Sequence, residues 1–386
     1  MGGSALANYA PRALPVVIPA RRDGRILHMR PQVQFCTSSD GVRLAYSVSG
    51  SGPLMVRAPH WFTHLEHDWS NPAMKPWVED LSKRYTLLRF DQRGTGLSDR
   101  EVPEISFEAH VRDLEAVIDA AGFERFALFG LSQGSAFSIA YAARHPERVS
   151  HFIMCGGFVR GWAKRDDAGS EYLANRECQI KLIELGWGNS DPSFRQVFST
   201  QFMPDAPIEA IRGFNEYMPL TSSASNAAKI FTDNGQIDVR DQAKRVRCPT
   251  LVMHGRGDLR IPFEEGRLAA GLIPGARFVG LDTRNHCMTQ GEPAWQTFLS
   301  AVTEFYPPAQ GSAGDGAFTE LTGRERDVLE LIAQGLDNAQ IAARLAVSDK
   351  TVRNNITHIF DKIGVENRSQ AIVLARERGL GQARRP

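Results

Sequence analysis

The sequence predicts an α/β domain, built on a mostly parallel sheet with an inserted helical cap, followed by a small all-α domain. Three observations carry this reading. Short apolar runs alternate with amphipathic stretches from Val33 to about Tyr306, the rhythm of a parallel sheet flanked by helices. That rhythm breaks between about residues 158 and 242, where the pattern is helical and rich in aromatic residues. Beyond the Pro-, Gly- and Ala-rich stretch "PPAQGSAGDGA" (307–317), the text is helical to the end.

Length and composition set the frame. A chain of 386 residues is long for one core, so two domains are expected. The formal net charge of +1 gives no whole-chain attraction to nucleic acid, so any basic surface must be local. Five widely spaced cysteines without a CxxC pair point to free thiols in a reducing compartment. No apolar run approaches the roughly 18–20 residues of a membrane span, and a cytoplasmic location is expected. Residues 1–30 read as a disordered leader, because "LPVVIP" is too short and too Pro-broken for a signal-peptide core.

The main domain is expected over residues 31–306. Its strand candidates are "VRLAYSV", "PLMVRAP", "YTLLRF", "RFALFG", "RVSHFIMCG", "PTLVMHG" and "ARFVGL", rich in β-branched and aromatic residues. "SFEAHVRDLEAVIDAAG" is a helix by its apolar spacing. His60, His64 and His67 lie close together, but no cysteine or carboxylate pattern completes a metal site. No metal and no cofactor are expected.

Within "FALFGLSQGSAF", Gly130 and Gly134 flank Ser132 in a Gly-X-Ser-X-Gly pattern. A strand candidate precedes it and a helix candidate follows, the setting in which a tight turn exposes a serine hydroxyl. Asp258 lies just past the next-to-last strand in "PTLVMHGRGDLRIP", and His286 follows the last one in "LDTRNHCM". A serine nucleophile needs a base to take its proton, and that imidazole needs a carboxylate to fix its tautomer. Ser132, Asp258 and His286 are therefore the expected catalytic set.

At these motifs the chain resembles the α/β-hydrolase family, over roughly Val33 to Tyr306. "FDQRGTGLSD" matches the turn that follows the fourth strand in that family, with Asp91 and Arg93 expected to pair or to bond backbone. Many members carry His-Gly after the third strand, where a following N–H helps bind an oxyanion. Here "RAPHWFTHLEHDW" puts His60 in place of that glycine. The resemblance implies the amides of Trp61 and Gln133 as oxyanion donors. The aromatic cap is expected to serve as both core and pocket wall.

Residues 307–317 are expected to be a linker that reaches roughly 35–40 Å when extended, and 318–386 a second domain. There, Thr322 and Glu325 form a capping-box pattern and Gly335 marks a stop. A short helix is expected from Asn338 to Leu345, and Ser348 caps the next one. On that third helix, Val352, Ile356, Ile359 and Ile363 form one apolar stripe. Lys350, Arg353, Asn354, Thr357 and Asp361 fall on the opposite face. Lys350 and Thr351, at the N-terminal end, suit phosphates, and Arg353, Asn354 and Thr357 are placed to reach base edges, as a recognition helix requires.

This segment resembles the LuxR-type helix-turn-helix of bacterial regulators along essentially its whole length, through "LTGRERDVLELIAQGLDNAQIA", "LAVSDKTVRNNITHIFDKIGV" and "RSQAIVLA". Where many members have histidine in the recognition helix, this chain has Asn355. The resemblance implies double-stranded DNA as a partner and a homodimer formed through a fourth helix at about Ser369 to Arg378. The expected function is a DNA-binding transcriptional regulator. Its α/β-hydrolase-like domain senses a small-molecule ligand of ester, lactone or carbonyl type, which Ser132 binds, is acylated by or slowly hydrolyses. The alternative is a serine esterase or lactonase with an appended DNA-binding module.

Overall fold

The computed structural model describes residues 32–308 except 167 and 192, residue 318, residues 321–377 except 366, and residues 380 and 381. The expected leader (1–30) and residues 309–317 of the expected linker lie outside the described residues.

An eight-stranded sheet organises the first domain: β1 (Val33–Thr37), β2 (Arg43–Ser49), β3 (Leu54–Ala58), β4 (Thr86–Phe90), β5 (Phe126–Leu131), β6 (Val149–Cys155), β7 (Thr250–Gly255) and β8 (Arg277–Leu281). Their spatial order is β1-β2-β4-β3-β5-β6-β7-β8. β1 and β2 pair antiparallel, β2 meets β4 antiparallel, and every later pairing is parallel. β1 is absent from the strand-sized runs read in the sequence. It is a five-residue edge strand with no fully buried residue, so it lacks the apolar run that betrays the central strands.

The crossovers are α1 (Lys75–Ser82), α2 (Phe107–Ala120) and α3 (Gly134–Arg144). Successive residues of the central strands feed two different cores. Val56, Leu128, Met154 and Val252 join α2 and α3 on one face, while Met55, Phe129, Ile153 and Met253 join α1 on the other. Alternation of this kind is how a parallel sheet buries both faces. α2 starts where the Ser106 hydroxyl accepts the Ala109 N–H, and His110, Val111, Leu114, Val117 and Ile118 then line its inner side.

Between β6 and β7 the chain leaves the sheet to form the cap: α4 (Ser170–Gly186), α5 (Ser193–Phe202), α6 (Ile208–Thr221), α7 (Ala224–Gln236) and the short α8 (Arg240–Ala243). Its aromatic core joins Phe198, Phe202, Phe214, Tyr217 and Phe231 to Trp61 and Phe62 of the sheet domain. Polar bolts hold α6 and α7 to the turn after β4. Asn226 donates to the Gly94 and Arg100 carbonyls, Ser222 donates to Gly94, and Arg100 donates back to Leu220. α9 (Phe263–Leu272) and α10 (Pro293–Phe305) complete the domain.

The turn after β4 behaves as expected in part. Asp91 accepts backbone N–H groups from Leu65 and Leu97. Arg93 donates to the Glu104 carbonyl and pairs with Asp113 and Asp40 rather than with Asp91. Three of the cysteines (Cys155, Cys248 and Cys287) are buried, Cys36 is partly buried, and Cys178 is exposed on α4.

The C-terminal helices are α11 (Gly323–Ala333), α12 (Asn338–Leu345), α13 (Asp349–Ile363) and α14 (Arg368–Glu377). Thr322 and Glu325 form a reciprocal capping box at α11, and Asp337 and Gln340 form another at α12. Ser348 caps α13, whose end is closed by Gly364 at φ +69°. Val352 and Ile359 are buried and Ile356 and Ile363 are partly buried, where α13 packs against α11 and α12. Among the described residues no helix is long and apolar enough to cross a membrane.

Candidate functional site

Ser132 follows β5 directly and carries φ +54°, one of two non-glycine residues with positive φ among the described residues. Such a conformation is strained for a residue with a side chain and persists only where the surroundings enforce it. Two hydrogen bonds do so here: Ser132 N–H donates to Cys155 O and Ser135 N–H donates to Ser132 O. The flanking glycines do not themselves make the turn. Neither takes a positive φ. A Cβ on Gly130 would meet the Ser135 Cα at 2.5 Å, and one on Gly134 would meet the Pro59 O at 2.8 Å. Their missing side chains let α3 sit against β5 and the end of β3, while Ser132 itself bears the turn.

Asp258 lies in the loop after β7 and His286 in the loop after β8. Both are buried, and His286 Nδ1 lies 2.7 Å from Asp258 Oδ2. The other carboxylate oxygen accepts the Arg260 and Ile261 N–H groups at 2.8 and 3.0 Å. Burial pushes the Asp258 carboxyl up, but the charge and hydrogen bond of His286 outweigh it and hold the group below its usual range. His286 Nε2 is buried with no hydrogen-bond partner among the described residues, and no direct bond joins it to Ser132. Gly156, at φ +54°, lies beside this pair; a Cβ there would stand 3.2 Å from the His286 ring and 3.7 Å from Asp258 Oδ2.

Trp61 and Gln133 are linked through a side chain the sequence did not flag. Gln92 Nε2 donates to the carbonyls of His60 and Trp61 at 3.2 and 2.8 Å. Gln133 Nε2 donates to Gln92 Oε1 at 2.9 Å, and Asn234 of α7 donates to Gln133 Oε1. Three amides thus tie the loop after β3, the turn at Ser132 and a cap helix into one chain. Among the described residues the Trp61 and Gln133 backbone N–H groups donate to no other protein group. Gln133 stands at the N-terminal end of α3, where a helix favours negative charge. His60 is buried among these groups, and burial followed by repulsion from Arg57 pushes it down to about 3, so it is neutral.

Ser132 lines a pocket between the sheet domain and the cap. Trp61, Phe158, Trp162, Phe202 and Phe231 form its apolar wall, and Arg165, Arg176 and Arg260 its charged one. None of the three arginines was singled out from the sequence. The Arg260 guanidinium lies 4.8–5.4 Å from the centres of the Phe231, Phe202 and Trp61 rings. Burial there, and then repulsion from Arg176, lower it to about 9, so it stays charged at neutral pH.

On α13, Lys350, Thr351, Arg353, Asn354 and Thr357 are all exposed. Arg353 pairs with Asp349 one turn earlier, and Thr351 bonds the capping Ser348. The sequence-predicted residues therefore share one open surface.

Comparison with known proteins agrees with both halves. Residues 65–293 match the family described as alpha/beta hydrolase fold. Residues 319–375 match bacterial regulatory proteins of the luxR family. Among curated relatives, a pyrrolizixenacetamide deacetylase of Xenorhabdus hominickii is 26% identical over 249 residues, covering 62% of this chain and 87% of its own. Among solved structures, a hydrolase from Pseudomonas aeruginosa PA01 is 25% identical with a TM-score of 0.58, covering 71% of this chain and 97% of that one. The enol-lactonase from Burkholderia xenovorans LB400, at 24% identity and a TM-score of 0.51, covers 70% and 99% and shares the fold.

Proposed function

The chain belongs to the alpha/beta hydrolase fold family and carries a luxR-family module beyond residue 318, and from that footing we propose that it is a ligand-responsive transcriptional regulator. The observation that carries this reading is a capped recognition helix, its polar face open, on the same chain as a pocket lined by Ser132. A DNA-reading module has no use to a metabolic enzyme, whereas a pocket gives a regulator something to sense.

In this reading residues 31–306 form the sensor, 307–317 a linker, and 318–386 a DNA-binding domain that acts as a homodimer in the cytoplasm. Lys350 and Thr351 meet phosphates, while Arg353, Asn354 and Thr357 face base edges. Ser132 is the nucleophile, His286 the base and Asp258 its orienting carboxylate, with the Trp61 and Gln133 amides as oxyanion donors. The ligand is a small ester, lactone or related carbonyl compound. It shifts DNA affinity only by binding one arrangement of the sensor better than another.

A second reading, a serine esterase or lactonase with a DNA-binding appendage, is favoured by the bonded Asp258–His286 pair. Selection of full-length protein on a randomised duplex library tests the first reading. A recovered motif bound by wild type supports it, and failure to retain any duplex overturns it. Multiple turnover of short esters without any ligand effect on DNA affinity would favour the second.

A further inference from the structure

Two arginines in the pocket lack a counter-charge. Arg176 Nη1 and Arg260 Nη1 both donate to one acceptor, Gln179 Oε1, at 3.1 and 3.2 Å. The remaining partners of both are neutral: the Tyr172 hydroxyl for Arg176 and Gln201 Oε1 for Arg260. Among the described residues neither guanidinium makes an ion pair. The neighbouring carboxylates are committed elsewhere. Glu265 pairs with Arg160 and Arg165, and Asp258 is saturated by His286 and by two backbone N–H groups.

Two like charges gathered around one amide oxygen, beneath aromatic rings, repel each other and have lost part of their hydration. Such an arrangement is relieved by an anion. The three rings around Arg260 cover its faces and leave N–H groups at its edge, and Nε and Nη2 donate to no described protein group. A planar carboxylate fits that edge in bidentate fashion.

We propose that the ligand of this pocket is an ester or lactone that also carries a carboxylate, held by Arg176 and Arg260 while its carbonyl faces Ser132. The inference rests on the reading of this cavity as a ligand site and narrows its ligand class. It also gives the cap a role, because Arg176 and Gln179 belong to α4 and Gln201 to α5. Arg260 projects from the sheet domain beside Asp258. A bound carboxylate therefore bridges α4 and the catalytic face.

The test is calorimetric titration of the full-length chain, in the Ser132→Ala background to prevent turnover, with monoethyl glutarate and with neutral diethyl glutarate. Binding of the monoanion at least about tenfold more tightly, as a charge-assisted contact implies, supports the proposal. Arg176→Gln and Arg260→Gln should each reduce that preference, read as the ratio of the two dissociation constants measured on the same variant. Equal or tighter binding of the diester by the unsubstituted pocket overturns the carboxylate assignment alone. Failure of both compounds to bind overturns it together with the ligand-site reading.

Discussion

Asp258 and His286 form a buried pair 2.7 Å apart, and the carboxylate is divided between two tasks. Oδ2 faces the imidazole, while Oδ1 accepts the amides that open the following turn. With Oδ2 accepting at Nδ1, the imidazole carries its proton there, and Nε2 is left without a partner among the described residues.

This division makes Asp258→Asn informative. Oδ1 must go on accepting two N–H groups, so the new NH₂ faces His286 Nδ1 and forces the proton onto Nε2. Ester hydrolysis, or acylation of Ser132 measured under single turnover, should fall about 10⁴-fold. The fold should persist by circular dichroism. A variant reacting at the wild-type rate would remove Asp258 from the catalytic set.

Ser132→Ala should abolish labelling by a fluorophosphonate, read as the mass of the intact protein. Any hydrolysis of short p-nitrophenyl esters should drop at least about a thousandfold. Adduct formation at another residue would show that the strained turn is not the reactive centre.

Asp91 yields a pH prediction. It is fully buried with one oxygen unpartnered, and burial raises its carboxyl from 3.8 to about 7 despite the Leu97 and Leu65 amides. The folded protein thus keeps a proton that the unfolded chain loses, so stability declines as pH rises from about 4 to about 7. At about 1.4 kcal/mol per unit the cost reaches a few kcal/mol. Between pH 5 and pH 8 the melting temperature of wild type should fall more than that of Asp91→Asn. Parallel curves for the two proteins would refute the assignment.

On α13, Arg353→Ala should cost about 1–3 kcal/mol of discrimination between cognate and altered duplexes. Lys350→Ala should weaken all duplexes alike and reduce the salt dependence by about one counterion. Fluorescence anisotropy at several salt concentrations separates the two. Identical profiles for both variants would mean that the helix is wrongly oriented in the groove.

Much of this arrangement was legible in the chain. The central strands announce themselves as apolar runs, and the helix caps at Thr322 and Ser348 are local signals that the structure realises residue by residue. Ser132, Asp258 and His286 each stand at a strand end, so the order of strands was enough to bring them to one edge. Asp337 and Gln340 were equally readable as a capping box in "DNAQ" and were overlooked. What escaped was contact between remote segments. Arg176 meets Arg260 only because α4 folds over the β7 loop, and Gln92, Gln133 and Asn234 connect three segments that no spacing relates. The exposed, five-residue β1 was missed because an edge strand buries too little to leave an apolar signature.

The uneven burial of the cysteines has a practical outcome. Burial raises the Cys36 and Cys248 thiols to about 11 and Cys287 to about 12, and Cys155 further still, so these four scarcely form thiolate near neutrality. Cys178 alone stands open to solvent, on α4 and two positions from Arg176. A maleimide fluorophore will therefore decorate the native polypeptide at a single place, on the helix that carries Arg176 but on its solvent side. The protein comes with its own attachment point for watching that helix respond to a small molecule.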